Sequence, residues 1–168
     1  MTLRIFGAAT VVVCCSLIGL RCAGGYSQRV KLLRSLIGTV TVARSEICDL
    51  LSPVPELLEL LSKTAPPPAK EFWACCDRLT RAGHGFPEAW EKAAERLQGL
   101  DESCGEALSG LAGIIGRYDA EAQRNELTRT IGILEQALSA AESERRTRGK
   151  TCAALGVGAG VILAIILV

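Results

Sequence analysis

Few residues in this sequence have the types and spacing that catalysis or metal binding requires. His84 is the only histidine, so a histidine general base or metal ligand would have to be this residue. It stands between Gly83 and Gly85, which is typical of a turn. Cys75 and Cys76 could join it at a zinc ion, but adjacent cysteines lack the CxxC spacing that structural zinc favours. We therefore predict no catalytic residue and no metal site.

The sequence Arg148-Gly149-Lys150-Thr151 resembles the end of a phosphate-binding loop. Such a loop needs a glycine where Glu144 stands, and it follows a β-strand that this sequence does not predict. We therefore expect no nucleotide, no other cofactor and no small-molecule substrate.

Pairs of acidic residues recur at helical spacing with basic residues beside them. Glu56 and Glu59 form one pair, and Glu91 and Glu95 form another. Paired carboxyl groups can serve as a general acid and a general base, but this pattern is more typical of a solvated helix face. We interpret these residues as surface residues and expect no enzyme activity.

Eight cysteines raise the question of disulfide bonds. Half of them lie in or beside the apolar ends of the chain, and the others are Cys48, Cys75, Cys76 and Cys104. Their spacing does not repeat, and a chain of this length can bury a core without covalent crosslinks. Reduced thiols are therefore expected.

The charges are distributed unevenly along the chain. Arg4 is the only charged residue among the first twenty, no charge follows Lys150, and residues 21–150 hold 18 basic and 18 acidic side chains. A neutral middle segment lacks the basic surface from which proteins gain affinity for nucleic acid. We exclude nucleic acid as a partner.

The first apolar segment runs from Ile5 to Leu20 without a charge. It can cross a membrane if Arg21 extends its guanidinium to the headgroups. A cleaved signal peptide is the alternative, because a basic start, an apolar run and small residues at 23–25 also fit that pattern. We assign residues 1–25 as an N-terminal transmembrane segment.

The second apolar segment, residues 151–168, contains no charged residue. Its length predicts a C-terminal transmembrane helix. Gly156 and Gly160 form a GxxxG pattern in it, and small residues at this spacing allow two helices to approach closely. These two glycines are our candidates for a contact between membrane helices.

Basic residues flank both apolar segments on the sides that face the middle of the chain. They are Arg21, Arg29, Lys31, Arg34, Arg145, Arg146, Arg148 and Lys150, whereas Arg4 alone lies on an outer side. Positively charged flanks remain in the cytoplasm. We therefore predict that the chain lies in the cell membrane and that residues 26–150 form a cytoplasmic helical domain.

The apolar period of the middle segment predicts six α-helices, which proline and glycine delimit. The first extends from Tyr26 to Leu51, where its last apolar positions are Ile47 and Leu51. The next four cover about 55–63, 69–81, 87–98 and 102–115.

The sixth predicted helix begins after Asp119 and leads into the second apolar segment. Its apolar residues are spaced by four, three, four and three, at Leu127, Ile131, Leu134, Leu138 and Ala141. This short heptad pattern favours a seam within one molecule over a dimeric coiled coil. We predict an all-α, six-helix antiparallel bundle with N- and C-terminal transmembrane helices, standing on a stalk of its first and last helices.

Several segments occur in a characteristic order. They are RVKLLRSLIGTV (Arg29–Val40), SEI (Ser45–Ile47), SPVPELLELL (Ser52–Leu61), GHGFPEAW (Gly83–Trp90), LAGIIGRYDAEAQ (Leu111–Gln123) and, after a basic tract, GVGAGVILAIIL. With an apolar segment at each end, this arrangement resembles the stage III sporulation protein AB family of endospore-forming bacteria over nearly the whole chain. Arg117 and Tyr118 depart from the small residues expected at their positions.

The resemblance implies a part of the channel-like complex that joins mother cell and forespore, in the mother-cell membrane facing the forespore. The family's soluble domain is similar to the six-helix cytoplasmic domain of the type II secretion platform protein. By that likeness, the protein would be a non-enzymatic scaffold coupling a secretion-type ATPase, stage III sporulation protein AA, to the other stage III sporulation membrane proteins. A platform protein of a type II secretion or pilus-like system outside sporulation is the alternative.

We expect the ATPase contact within residues 55–73, because the stalk would present this end of the bundle to the cytoplasm. Glu56, Glu59 and Trp73 are the candidate residues of the partner interface. A tryptophan is more often a core residue than a contact residue. The proline-rich hinge before Trp73 could nevertheless turn its ring outward.

Overall fold

The computed structural model describes residues 2–116 and 119–149. Over these residues the chain is helical and contains no β-strand. The α-helices are α1 (Thr2–Cys48), α2 (Val54–Thr64), α3 (Ala69–Arg81), α4 (Phe86–Ala94), α5 (Glu102–Leu111) and α6 (Ala120–Glu144), and a π-helix follows at Arg145–Gly149. The prediction of an all-α fold with six α-helices is confirmed for this part of the chain.

α1 ends because a left-handed residue and a proline follow it. Leu51 has a φ of 55°, and Pro53 disfavours helical backbone in the residue before it. Pro53 is the N-cap residue of α2, and Pro55 lies in the first turn, where its missing N–H costs no hydrogen bond. α1 thus ends at Cys48 rather than at Leu51.

α4 and α5 end earlier than the apolar period predicts. After α4, the N–H of Leu97 donates to the carbonyl of Ala94 over 3.0 Å, and such a bond to the third preceding residue tightens the last turn. Gly99, with a φ of 95°, then reverses the chain. α5 likewise ends at Leu111, before a turn that closes at Gly116.

The chain forms two compact units. Among the described residues, the larger unit comprises residues 31–116 and 119–139, and the smaller unit comprises residues 2–30 and 140–149. Within the smaller unit, the guanidinium of Arg29 lies 3.9 Å from the carboxylate of Glu144.

Within the larger unit, α1 and α6 run antiparallel. The guanidinium of Arg44 donates to the hydroxyl of Thr128 over 3.4 Å. Farther along α1 and earlier along α6, Arg124 donates to Asp49 over 2.9 Å and to the carbonyl of Cys48 over 3.3 Å. Arg124 therefore satisfies one of the carbonyl groups that the end of a helix leaves unpaired.

The core of the larger unit is built from leucines and tryptophans. Its fully buried large side chains are Leu33, Leu36, Leu57, Leu58, Leu61, Trp73, Trp90, Leu108, Leu111, Leu127 and Leu134. On α6, Leu127, Ile131 and Leu134 are all buried within the chain. The predicted intramolecular seam is confirmed at these heptad positions.

None of the helices in the described ranges combines the length and the apolar character needed to cross a membrane. These residues therefore do not support the transmembrane segment predicted over 1–25. The predicted C-terminal span, with Gly156 and Gly160, lies outside the described residues.

Candidate partner interface

Trp73 lies in the core, not on the predicted partner surface. Its side chain has no solvent-exposed area. The helical spacing of Ala69, Phe72, Trp73 and Cys76 places all of them on the inner face of α3, where each is buried. We therefore correct its assignment: Trp73 cannot touch a partner while the domain is folded.

An aromatic cluster explains why both tryptophans are buried. Trp73 packs edge-to-face on Phe72 and on Trp90, with ring centroids 5.1 and 5.4 Å apart. The indole N–H of Trp90 also donates to the carbonyl of Leu108 over 2.7 Å, which joins α4 to α5. The indole N–H of Trp73 is buried without a hydrogen-bond partner among the described residues.

Glu59 is exposed but already paired within the domain. Lys63 and Arg81 both donate to its carboxylate, and the Arg81 bond of 3.1 Å joins α2 to α3. Arg81 also donates to Asp77 over 2.9 Å. The hydrogen bond from Lys63 and then the one from Arg81 lower the pKa of Glu59. Glu59 is therefore a poor probe of partner binding, since its replacement also breaks this link.

Glu56 is exposed in the first turn of α2, and its carboxylate has no hydrogen bond or ion pair with the described residues. A carboxylate at this position interacts favourably with the helix dipole. Of the three predicted contact residues, Glu56 alone is both accessible and unengaged.

Three exposed leucines lie within six residues of Glu56 in the sequence. Leu50 is 65% exposed, Leu51 is 73% exposed and Leu60 is 37% exposed. Among the described side chains, Val42 is the only other large apolar residue with comparable exposure. We call Leu50, Leu51, Glu56 and Leu60 the corner surface, because they lie at the α1–α2 corner and on the outer side of α2.

The backbone holds Leu51 in its left-handed conformation. The N–H of Leu50 donates to the carbonyl of Ser45 over 3.1 Å, and that of Ser52 donates to the carbonyl of Glu46 over 2.8 Å. The Ser52 hydroxyl also donates to the Glu46 carboxylate over 2.7 Å. Glycine usually occupies such a position after a helix, because a side chain there is strained.

Sequence reasoning identified Glu56 but missed Leu50 and Leu51, because Leu51 continues the apolar period of α1. The nearby Pro53 was the available signal: a helix rarely continues into the residue before a proline. Two consecutive leucines outside a helix and before a proline could have been recognised as a potential contact site.

No disulfide bond joins the four cysteines in the described part of the larger unit, of which Cys75, Cys76 and Cys104 are buried. Burial, followed by the proximity of Cys75, raises the pKa of Cys76 to about 12. A thiol in this environment is not a nucleophile at neutral pH.

His84 lies in the turn between α3 and α4, where its Nδ1 is 3.1 Å from the carboxylate of Glu88. Glu88 also accepts a hydrogen bond from Lys92 over 2.7 Å. In the described ranges, no group of three histidine, cysteine or acidic side chains is arranged to hold a metal ion. His84 therefore lies in an exposed polar contact with a carboxylate that Lys92 also pairs.

Comparisons with known proteins agree on one family. The family model described as stage III sporulation protein AB matches residues 4–168. Stage III sporulation protein AB of Bacillus subtilis (strain 168) is 25% identical over 169 residues, which cover 98% of this chain and 99% of that protein.

A solved structure of a stage III sporulation protein AB has a similar fold. It superimposes with a TM-score of 0.63 and 19% identity, over 71% of this chain and 98% of that chain. At this identity the superposition establishes the shared fold alone. Since the family model spans nearly the entire sequence, the chain belongs to the stage III sporulation protein AB family.

Proposed function

We propose that this protein is a non-enzymatic membrane scaffold of a sporulation complex, which couples a cytoplasmic secretion-type ATPase to membrane subunits. In this proposal the ATPase is stage III sporulation protein AA, and the complex lies in the mother-cell membrane facing the forespore. Membership of the sporulation family favours this role over a secretion or pilus platform outside sporulation.

The corner surface is the single observation that supports this proposal most. Leucine side chains exposed to water do not stabilise the domain, and the left-handed backbone of Leu51 costs about 1–3 kcal/mol. Exposed apolar side chains at a polar rim are typical of protein–protein contact sites. Binding of a partner would bury these leucines and offset the cost.

A scaffold of this kind needs a stable bundle, a contact surface and attachment to the membrane. The buried core of the larger unit stabilises the bundle, and the corner surface is the proposed contact surface. The apolar segments 5–20 and 151–168, with their basic flanks, are the sequence features that support attachment.

Glu56→Arg is the experiment that tests the ATPase contact. We expect this charge reversal to lower recovery of the ATPase with the full-length protein by about tenfold, while the midpoint of thermal unfolding changes little. Quantitative immunoblots of detergent-solubilised complexes from sporulating cells measure the recovery.

Glu102→Arg is the matched control for that experiment, because Glu102 lies outside residues 55–73. Glu102 is also exposed and also lies in the first turn of its helix, α5, so its reversal has the same unfavourable effect on the helix dipole. Equal recovery of the ATPase with both variants and with the wild type would contradict the proposed contact.

A topology measurement tests the cytoplasmic placement of the helical domain. Gln98→Cys introduces a thiol at an exposed position in the larger unit, in a background where the half-buried Cys48 is serine. We expect a membrane-impermeant maleimide to label this thiol after lysis and not in intact cells. Labelling in intact cells would reverse the proposed topology.

A further inference from the structure

An open groove of about 400 Å³ separates α4 from α5 in the larger unit. The half-buried Ala94 and Leu100 give it an apolar lining, and Glu91 and Glu95 line it on the α4 side. Its volume lies within the range of about 300–1,000 Å³ typical of ligand clefts. It is open to solvent and offers few polar groups that converge on one point, so it suits an extended apolar surface better than a small molecule.

Gly105 leaves this groove open. It lies inside α5, where glycine weakens a helix relative to any ordinary residue. A Cβ atom at Gly105 would meet no atom within 4 Å. Packing inside the chain therefore does not require glycine here, whereas close approach of another backbone from outside would require it.

The surroundings of the groove are acidic. Residues 91–106 hold five acidic and two basic side chains. One of the two basic residues, Lys92, donates to Glu88. Glu91, Glu95, Glu102 and Glu106 are exposed, so an approaching partner meets a negative rim around an apolar lining.

We propose that this groove docks a basic amphipathic helix of a partner protein. The apolar face of that helix would enter the groove beside Gly105, and its lysine or arginine side chains would pair with Glu91 and Glu95. A second copy of this chain fits less well, because residues 31–139 hold 16 acidic and 12 basic side chains and therefore present a net charge of the same sign as the rim of the groove. The groove involves other helices than the corner surface, so the inference does not rest on the ATPase contact.

A synthetic peptide of about 18 residues, or five helical turns, is the probe. It carries leucine along one face and lysine elsewhere, and a second peptide carries glutamate in place of lysine. Fluorescence anisotropy measures binding to the full-length chain in phosphatidylcholine nanodiscs, after subtraction of binding to empty nanodiscs. We expect the lysine peptide to bind, the glutamate peptide not to bind, and added salt to weaken the complex.

Gly105→Leu fills the groove and is the decisive variant. We expect it to weaken peptide binding by about tenfold or more without lowering the midpoint of thermal unfolding, since leucine favours a helix more than glycine does. The double variant Glu91→Lys, Glu95→Lys should weaken binding as well. Gly38→Leu is the matched control, because Gly38 is an exposed helical glycine whose Cβ position is also free of contacts.

Three results would overturn the inference. One is equal affinity of the wild type and Gly105→Leu for the lysine peptide, and another is the absence of peptide binding to either. The third is self-association of the wild type that Gly105→Leu abolishes in sedimentation experiments, because a second copy would then be the occupant.

Discussion

Leu51→Gly is expected to make the folded chain more stable and, at the same time, to weaken its binding to the ATPase. Leu51 has a φ of 55°, which glycine adopts without strain. We expect the free energy of unfolding to rise by about 1 kcal/mol. Recovery of the ATPase should fall by about tenfold, because a 73% exposed contact side chain is lost. Chemical denaturation of the purified full-length chain and quantitative co-purification measure the two effects.

Two further substitutions separate the backbone of Leu51 from its side chain. Asparagine tolerates the left-handed conformation, so Leu51→Asn should behave like Leu51→Gly. Methionine keeps an apolar side chain and the strain, so Leu51→Met should leave both stability and ATPase recovery close to wild type. Full recovery of the ATPase with the glycine and asparagine variants would show that Leu51 does not contact it.

Trp73→Ala is expected to destabilise the domain strongly. The side chain is fully buried and packs on Phe72 and Trp90. Truncation of such a residue costs about 3–5 kcal/mol, which is a large fraction of the about 5–15 kcal/mol that stabilises an ordinary domain. Loss of helical circular dichroism at a lower temperature measures the effect, and ATPase recovery should fall only in proportion to the unfolded fraction.

Phenylalanine substitutions provide a matched pair for this prediction. Trp90→Phe removes the hydrogen bond to the carbonyl of Leu108, whereas Trp73→Phe removes an N–H without a partner among the described residues. Trp90→Phe should therefore destabilise the domain more, by about 1 kcal/mol. A Trp73→Ala variant that stays folded but no longer co-purifies with the ATPase would contradict this account. It would show that Trp73 contributes to the partner interface.

The number and type of the helices could be predicted because their signals are local. Pro55 and Pro87 mark first turns, and the glycines at 83, 99 and 116 adopt positive φ where the chain reverses. The helix ends were less predictable. The predictions from the apolar period placed the ends of α4 and α5 too late in the sequence. Apolar spacing alone does not show where the last turn of a helix tightens.

The corner surface and the role of Trp73 could not be read from periodicity. Leu51 matches the apolar period of α1, yet Pro53 and the hydrogen bonds of the turn direct it to solvent. The prolines before Trp73 permit either an inward or an outward ring, and only the tertiary packing of Trp73 against Trp90 decides. One of the two partners of Glu59 is Arg81, 22 residues away, and no local pattern indicates such a pair.

Photocrosslinking from position 51 tests the proposed coupling most directly. A benzophenone amino acid replaces Leu51 in the full-length protein of sporulating cells, and an antibody to stage III sporulation protein AA identifies the product. We predict a crosslink to the ATPase from position 51 and none from the exposed position 102 on α5. The absence of this crosslink at position 51, with stable and membrane-associated protein, would contradict the coupling role.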